Sequence, residues 1–148
     1  MKNEAEFNRV VCRSINKEGF ARKIADTVSY TSKRHSDLPF DIFGIYGGHP
    51  VYIESKFLKE PKAFNLSRLE NHQLDALLKC RKLCPDARCY LLIGVVFGRG
   101  DIRVFYFDDL DEIKRRKDSH QSILKKEFLS NDRFVSVKKG LIDLSFIK

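Results

Sequence analysis

The chain has no tryptophan and one methionine, and only four prolines and eight glycines among 148 residues. So little proline and glycine excludes a collagen-like or low-complexity polymer. No apolar run approaches the ~20 residues that a membrane helix needs, so no membrane partner is expected. The opening MKNEAEFNRVV is charged and holds no apolar stretch of the signal-peptide kind, which points to a cytoplasmic protein. Cysteine is sparse, at 12, 80, 84 and 89. No second close pair of cysteines or histidines completes a zinc pattern around Cys80, Cys84 and Cys89, so reduced and mostly buried thiols are the better account. Repeats and linkers are also missing, so residues 1–148 are expected to form a single domain with one core.

Positive charge is abundant. Lys and Arg number 28 against 20 Asp and Glu, a formal net charge of +8. An excess of that size in a small domain suggests a polyanion partner, although it also serves solubility alone.

Residues 41–56 read DIFGIYGGHPVYIESK. Ile42, Phe43, Ile45 and Tyr46 suit one strand and Val51, Tyr52 and Ile53 a second. Gly47, Gly48, His49 and Pro50 between them predict a hairpin with a four-residue loop. Side chains alternate along a strand, so Glu54 and Lys56 share a face and Ser55 takes the other. A chain folded back at the glycines brings Asp41 beside Glu54, far from the turn. Two acids that close repel unless a cation sits between them. Mg²⁺ takes oxygen ligands, and with two carboxylates and a backbone carbonyl it would activate water and stabilise charge on a phosphate. Lys56 would hold that water or the developing anion. The same Glu-x-Lys pattern also occurs as a plain charge pair on solvated strands.

Elsewhere the periodicity predicts a helix over 4–18, with Phe7, Val10, Val11 and Ile15 on one face and Gly19 as its stop. Glu6 lies at the border of that face. Residues 20–30 fit either helix or strand and are taken as a strand. TSKRHSDL at 31–38 reads as an exposed basic loop, able to touch a phosphate backbone or simply solvated. Ser67 and Glu70 form a capping-box pattern for a second helix, with His72 and Gln73 near its start, and Cys84-Pro85-Asp86 end it. YLLIGVVF at 90–97 predicts a strand buried on both faces, paired with IRVFYF at 102–107. A helical segment begins at Asp108-Asp109-Leu110 and carries the basic run Lys114–Lys117. A second helical piece is expected over 119–129. Lys138-Lys139-Gly140 sits between two short extended runs. The order predicts an α/β fold with one central mixed sheet flanked by helices.

The Asp41…Glu54-Ser55-Lys56 spacing resembles the D…ExK signature of the PD-(D/E)xK nuclease superfamily. The hairpin, with Gly44, Tyr46 and Gly48, is similar to that of RecU-type Holliday-junction resolvases, as are Ala63-Phe64 and His72-Gln73 downstream. The chain departs from that type in two ways. Only a short segment at 31–38 replaces a long projection, as in compact archaeal-type or phage-encoded relatives. Pro39 precedes Asp41 by two, so the name-giving Pro-Asp pair is not literal. The resemblance implies a restriction-endonuclease-like fold. It implies Asp41, Glu54 and the Ser55 carbonyl as ligands of Mg²⁺, with Mn²⁺ able to substitute, and Lys56 as the group that orients water. Gln73 would be a supporting polar residue, and Glu6 the acid from the first helix, with Glu4 close enough to compete. The activity implied is structure-selective endonuclease cleavage of four-way junction DNA by paired nicks, hence a homodimer. Lys33, Arg34, Lys59 and Lys62 would flank each site on the DNA. The rival readings are another nuclease of the superfamily, a non-catalytic DNA-binding module of the same fold, or a basic domain with a protein partner.

Overall fold

The computed structural model describes residues 1–24 and 39–148. In chain order the elements are α1 (Glu4–Asn16), β1 (Phe20–Lys23), β2 (Ile42–Tyr46), β3 (His49–Leu58), a 3-10 turn (Leu66–Arg68), α2 (Asn71–Leu83), β4 (Arg88–Gly98), β5 (Asp101–Phe107), α3 (Leu110–Asp118), α4 (Lys125–Ser130), β6 (Phe134–Lys138) and β7 (Leu141–Ile142). The seven strands lie in one sheet in sequence order. Among the described strands only β3 and β4 run parallel. That pairing requires a crossover, and α2 supplies it. The fold is thus the mixed, helix-flanked α/β sheet that the element order predicted.

Two apolar layers cover the two faces. On one, Val51, Ile53, Phe57 and Leu92 pack with Phe7, Val10, Val11 and Ile15 of α1 and with Ile142, Leu144 and Ile147 of the C-terminal segment. On the other, Leu58, Leu91, Ile93 and Phe105 pack with Leu74 and Leu77 of α2, Ile113 of α3 and Phe128 of α4. Seven consecutive residues of β4, Cys89–Val95, are buried, as a strand sandwiched between two helical layers must be.

Several local expectations change. The hairpin loop has two residues, not four: Tyr46 pairs with His49, and Gly47 and Gly48 have φ of 58° and 80°. Two successive left-handed residues match the right-handed twist of the flanking strands, and glycine reaches them without strain. β3 runs on to Leu58, beyond the expected end at Lys56. Ser67 does not cap α2. It belongs to the 3-10 turn capped by Asn65, and the capping box is Glu70 with Gln73. In the C-terminal half the helical piece is shorter than expected, Lys125–Ser130. β1 accounts for the start of the ambiguous 20–30 stretch, and the remainder of that stretch lies outside the described residues.

Among the described residues, no helix is long and apolar enough to cross a membrane. All four cysteines are free, and Cys89 is buried.

Candidate active site

The register between β2 and β3 decides the site. Ile42 pairs with Ile53, so Asp41 falls opposite Glu54, as the folded ribbon predicted. β2 ends there, while β3 continues for four more residues beside β4 alone. From Glu54 to Leu58 one edge of β3 therefore has no strand neighbour among the described residues. Backbone still meets backbone just before this stretch, and side chains meet the Ser55 N–H and the Phe57 carbonyl within it. The Asp41 N–H donates to the Ile53 carbonyl at 3.1 Å. The Ser55 N–H donates to Asp41 Oδ2 at 3.1 Å. Arg68 Nη2 reaches the Phe57 carbonyl at 3.5 Å. In a strand the N–H and C=O of one residue leave on the same edge, so the Ser55 carbonyl also opens here.

Because the edge is open, residues from both faces of β3 meet at it. Ser55 faces α1. Its hydroxyl is hydrogen-bonded to the Asn8 side chain and donates to Asp41 Oδ2 at 3.1 Å. Glu54 and Lys56 face the α2 side, and Lys56 Nζ approaches Glu54 Oε1 at 2.8 Å. Glu4, at the start of α1, comes within 3.7 Å of Lys56 Nζ and 3.9 Å of Arg68 Nη2. The Arg68 guanidinium carbon sits over the Phe64 ring, 5.1 Å from its centre.

The electrostatics are those of an acid-rich cluster. Glu54 is wholly buried and Lys56 only 8% exposed. Among the described residues Lys56 is the one donor within reach of Glu54, 2.8 Å from Oε1 but poorly aligned, and none reaches Oε2. A buried carboxylate short of donors is costly. Burial, and then the Asp41 charge, push the Glu54 carboxyl up to about 8, and Lys56 offsets this only in part. Burial raises the Glu4 carboxyl as well. Burial alone would lower the Lys56 ammonium, but Glu54, Glu4 and Asp41 hold it above its usual value. These directions agree. Three carboxylates face one lysine and one arginine, so the cluster has a surplus of negative charge and keeps every proton it can.

That surplus is the physical case for a divalent cation. Among the described residues no group of three His, Cys, Asp or Glu side chains comes together as a metal-binding set. The available donors are Asp41, Glu54 and the Ser55 carbonyl. A pair of carboxylates with one carbonyl suits Mg²⁺, which retains several waters, and not zinc, which wants a closed set of N and S ligands. The buried oxygens of Glu54, short of donors, fit such a role.

The other expected residues are placed as follows. Glu6 does not join the cluster. It accepts the Lys2 N–H at 2.7 Å, and its own N–H is capped by Asn3. One turn of α1 aligns residues three or four apart, so Glu4 and Asn8 share the face toward β3, while Glu6 is rotated away. Gln73 sits at the start of α2, with its Oε1 occupied by the Glu70 N–H at 3.1 Å. Among the described residues no hydrogen bond joins it to Asp41, Glu54 or Lys56. Lys59 and Lys62 are exposed just past the end of β3. Lys33 and Arg34 lie outside the described residues. His72 pairs with Glu70 at 3.2 Å.

Sequence reasoning missed Asn8 and Arg68. Asn8 had a signal, a polar residue set between Phe7 and Val10 on the apolar face of α1. Arg68 had none, because it reaches the site through the 3-10 turn.

No family model matches the chain, and no curated protein matches it. Among solved structures it is similar to Hjc of Archaeoglobus fulgidus, a Holliday junction resolvase from an archaeal hyperthermophile. The identity is 17%, the match covers 71% of this chain and 88% of that one, and the TM-score is 0.46.

Proposed function

We propose that this chain is a metal-dependent endonuclease that nicks branched DNA, most simply a four-way-junction resolvase acting as a homodimer. The observation that carries this reading is the Glu54 carboxyl, fully buried, opposite Asp41, with Oε1 met by the Lys56 ammonium at 2.8 Å and Oε2 met by no donor among the described residues. A purely structural charge cluster would pair its acids; this one leaves its most buried acid short of partners.

In this reading Asp41, Glu54 and the Ser55 carbonyl hold Mg²⁺, with Mn²⁺ able to replace it. When bound, the ion supplies Lewis acidity toward a phosphate oxygen and lowers the pKa of its water. The chain's own residues do the rest. The Ser55 N–H and hydroxyl fix the Asp41 carboxylate. Lys56, kept protonated by three acids, donates to the attacking water or to the phosphate oxygens as charge builds. Glu4 holds Lys56 from the α1 side. The net charge of +8 suits a polyanionic substrate.

The test is incubation with labelled four-way junction and matched linear duplex, with and without Mg²⁺. Paired nicks in the junction that require Mg²⁺ and vanish in Asp41→Asn are expected. Undiminished cleavage by Asp41→Asn would remove the proposed site. Equal cutting of linear duplex would instead assign a restriction-like or repair nuclease with the same chemistry.

A further inference from the structure

α1 carries a second charged surface on its far side. Arg9, Arg13 and Lys17 are four residues apart, all exposed, and form one stripe with steps of about 6 Å along the helix. At about 100° per residue the stripe lies opposite Glu4 and Asn8, which face the candidate active site. The β6–β7 turn adds to it. A Cβ placed on Gly140 would lie 3.3 Å from Arg13 Nη1, which sets that guanidinium against the Lys138-Lys139-Gly140 turn. Lys17 and Lys138 both border the groove of about 560 Å³ between α1 and this hairpin. Ser14 locks the two elements together, donating to the Val10 carbonyl at 2.7 Å and accepting the Ile142 N–H at 3.0 Å.

Two features set this surface apart. Among the described residues none of Arg9, Arg13, Lys17, Lys138 and Lys139 makes an ion pair. Glu18 and Asp143 line the same groove but come within ion-pair distance of none of the five; Glu18 accepts from the Tyr46 hydroxyl at 3.4 Å, and Asp143 accepts the Ser145 N–H at 2.9 Å. The second feature is the turn. Lys139 has φ of 52°, a left-handed position that asparagine would occupy with less strain. The chain thus keeps five cations on α1 and the neighbouring turn with no ion pair among the described residues, one of them at a conformational cost.

We propose that this ridge binds the phosphate backbone of a second duplex arm of the branched substrate, while the first arm enters the Asp41–Glu54 site. The inference rests on the nuclease reading and names how a branched substrate is told from a linear one. The two surfaces lie across one helix, about 10–12 Å with side chains, so a single straight duplex cannot follow both. A linear duplex occupies one surface at a time and a junction occupies both.

The experiment compares binding of a four-way junction and a matched linear duplex in EDTA, using Arg9→Gln/Arg13→Gln/Lys138→Gln/Lys139→Asn. The asparagine suits the left-handed turn, and a thermal melt confirms folding. A charge-matched control, Lys79→Gln/Lys82→Gln/Lys125→Gln/Lys126→Gln, alters exposed lysines elsewhere. The ridge variant is expected to lose about tenfold or more in junction-over-duplex preference, and its salt slope on the junction should fall by roughly three to four. An unchanged preference, or an equal loss in the control, overturns the proposal. The readout is binding without metal, so absent cleavage by wild-type protein would defeat the nuclease reading separately.

Discussion

Among the described residues, the charged groups on α3 and at the β2–β3 edge are built on opposite terms. On α3, Arg115 is held by Glu112 at 2.6 Å, Arg116 by Glu127 at 2.7 Å, and Lys114 by Asp75 at 3.5 Å, mostly in contact with water. In the basic run Lys114–Lys117, the most conspicuous in the sequence, the first three are thereby paired with acids and Lys117 donates to the Leu66 carbonyl at 3.2 Å. At the β2–β3 edge Glu54 and Lys56 are buried instead, the acids outnumber the bases, and among the described residues no donor reaches Glu54 Oε2. Solvated pairs of the first kind contribute little and ask for nothing further. A buried surplus of one sign is tolerated only where something else completes it. The difference teaches that density of charge in a sequence is a poor guide to function, and unmet demand in the fold a better one.

The sharpest way to break that contrast is at the ligands. Asp41→Asn should reduce Mg²⁺-dependent nicking by at least about 10³-fold, measured on a labelled junction, and leave binding in EDTA intact. Lys56→Met should cost about 10²–10³-fold in the same assay, with Mg²⁺-induced thermal stabilisation retained because the carboxylates remain.

Next comes pH. Glu54 is raised from the ordinary 4.5 to about 8, so the folded protein binds a proton that the unfolded chain has lost. Its contribution to stability is full below about 4.5 and disappears as pH rises through about 8. The metal-free melting temperature should therefore fall between those values, and Glu54→Gln should flatten the decline. A cation competes with that proton, so the Mg²⁺-induced thermal shift should be larger at pH 8.5 than at pH 6.5. A shift independent of pH would show that Glu54 is not a ligand.

A smaller effect separates two acids on α1. Glu4→Gln should slow nicking several-fold by loosening Lys56, while Glu6→Gln should leave the rate unchanged and only weaken the helix start. The smallest is on α3, where Arg115→Ala should leave melting temperature, binding and nicking at wild-type values. A marked loss there would erase the distinction between the two groups.

Much of the fold was legible because it rests on local pattern. The apolar run of β4, the 3.6-residue face of α1 and the glycine break of the hairpin each encode a neighbour within a few residues. The Asp41–Glu54 pairing was legible for the same reason, since a tight turn fixes register over a short ribbon. The loop was read two residues too long because His49 and Pro50 resemble turn residues, yet both sit in β3. Ser67 was read as a cap because the pattern repeats three residues later at Glu70–Gln73, where the helix actually starts.

The sequence by itself determined the acids, the lysine and the ribbon that carries them, because strand alternation and turn chemistry are short-range. Only the tertiary structure decided that β2 stops while β3 goes on. That open edge lets Ser55, from the opposite face, meet Glu54 and Lys56, and it admits Glu4 from α1 and Arg68 from a separate turn. Which of two helix acids arrives there depends on the rotation of α1 against the sheet. That rotation is set by the packing of Phe7, Val10 and Val11, which no local pattern specifies to within a residue.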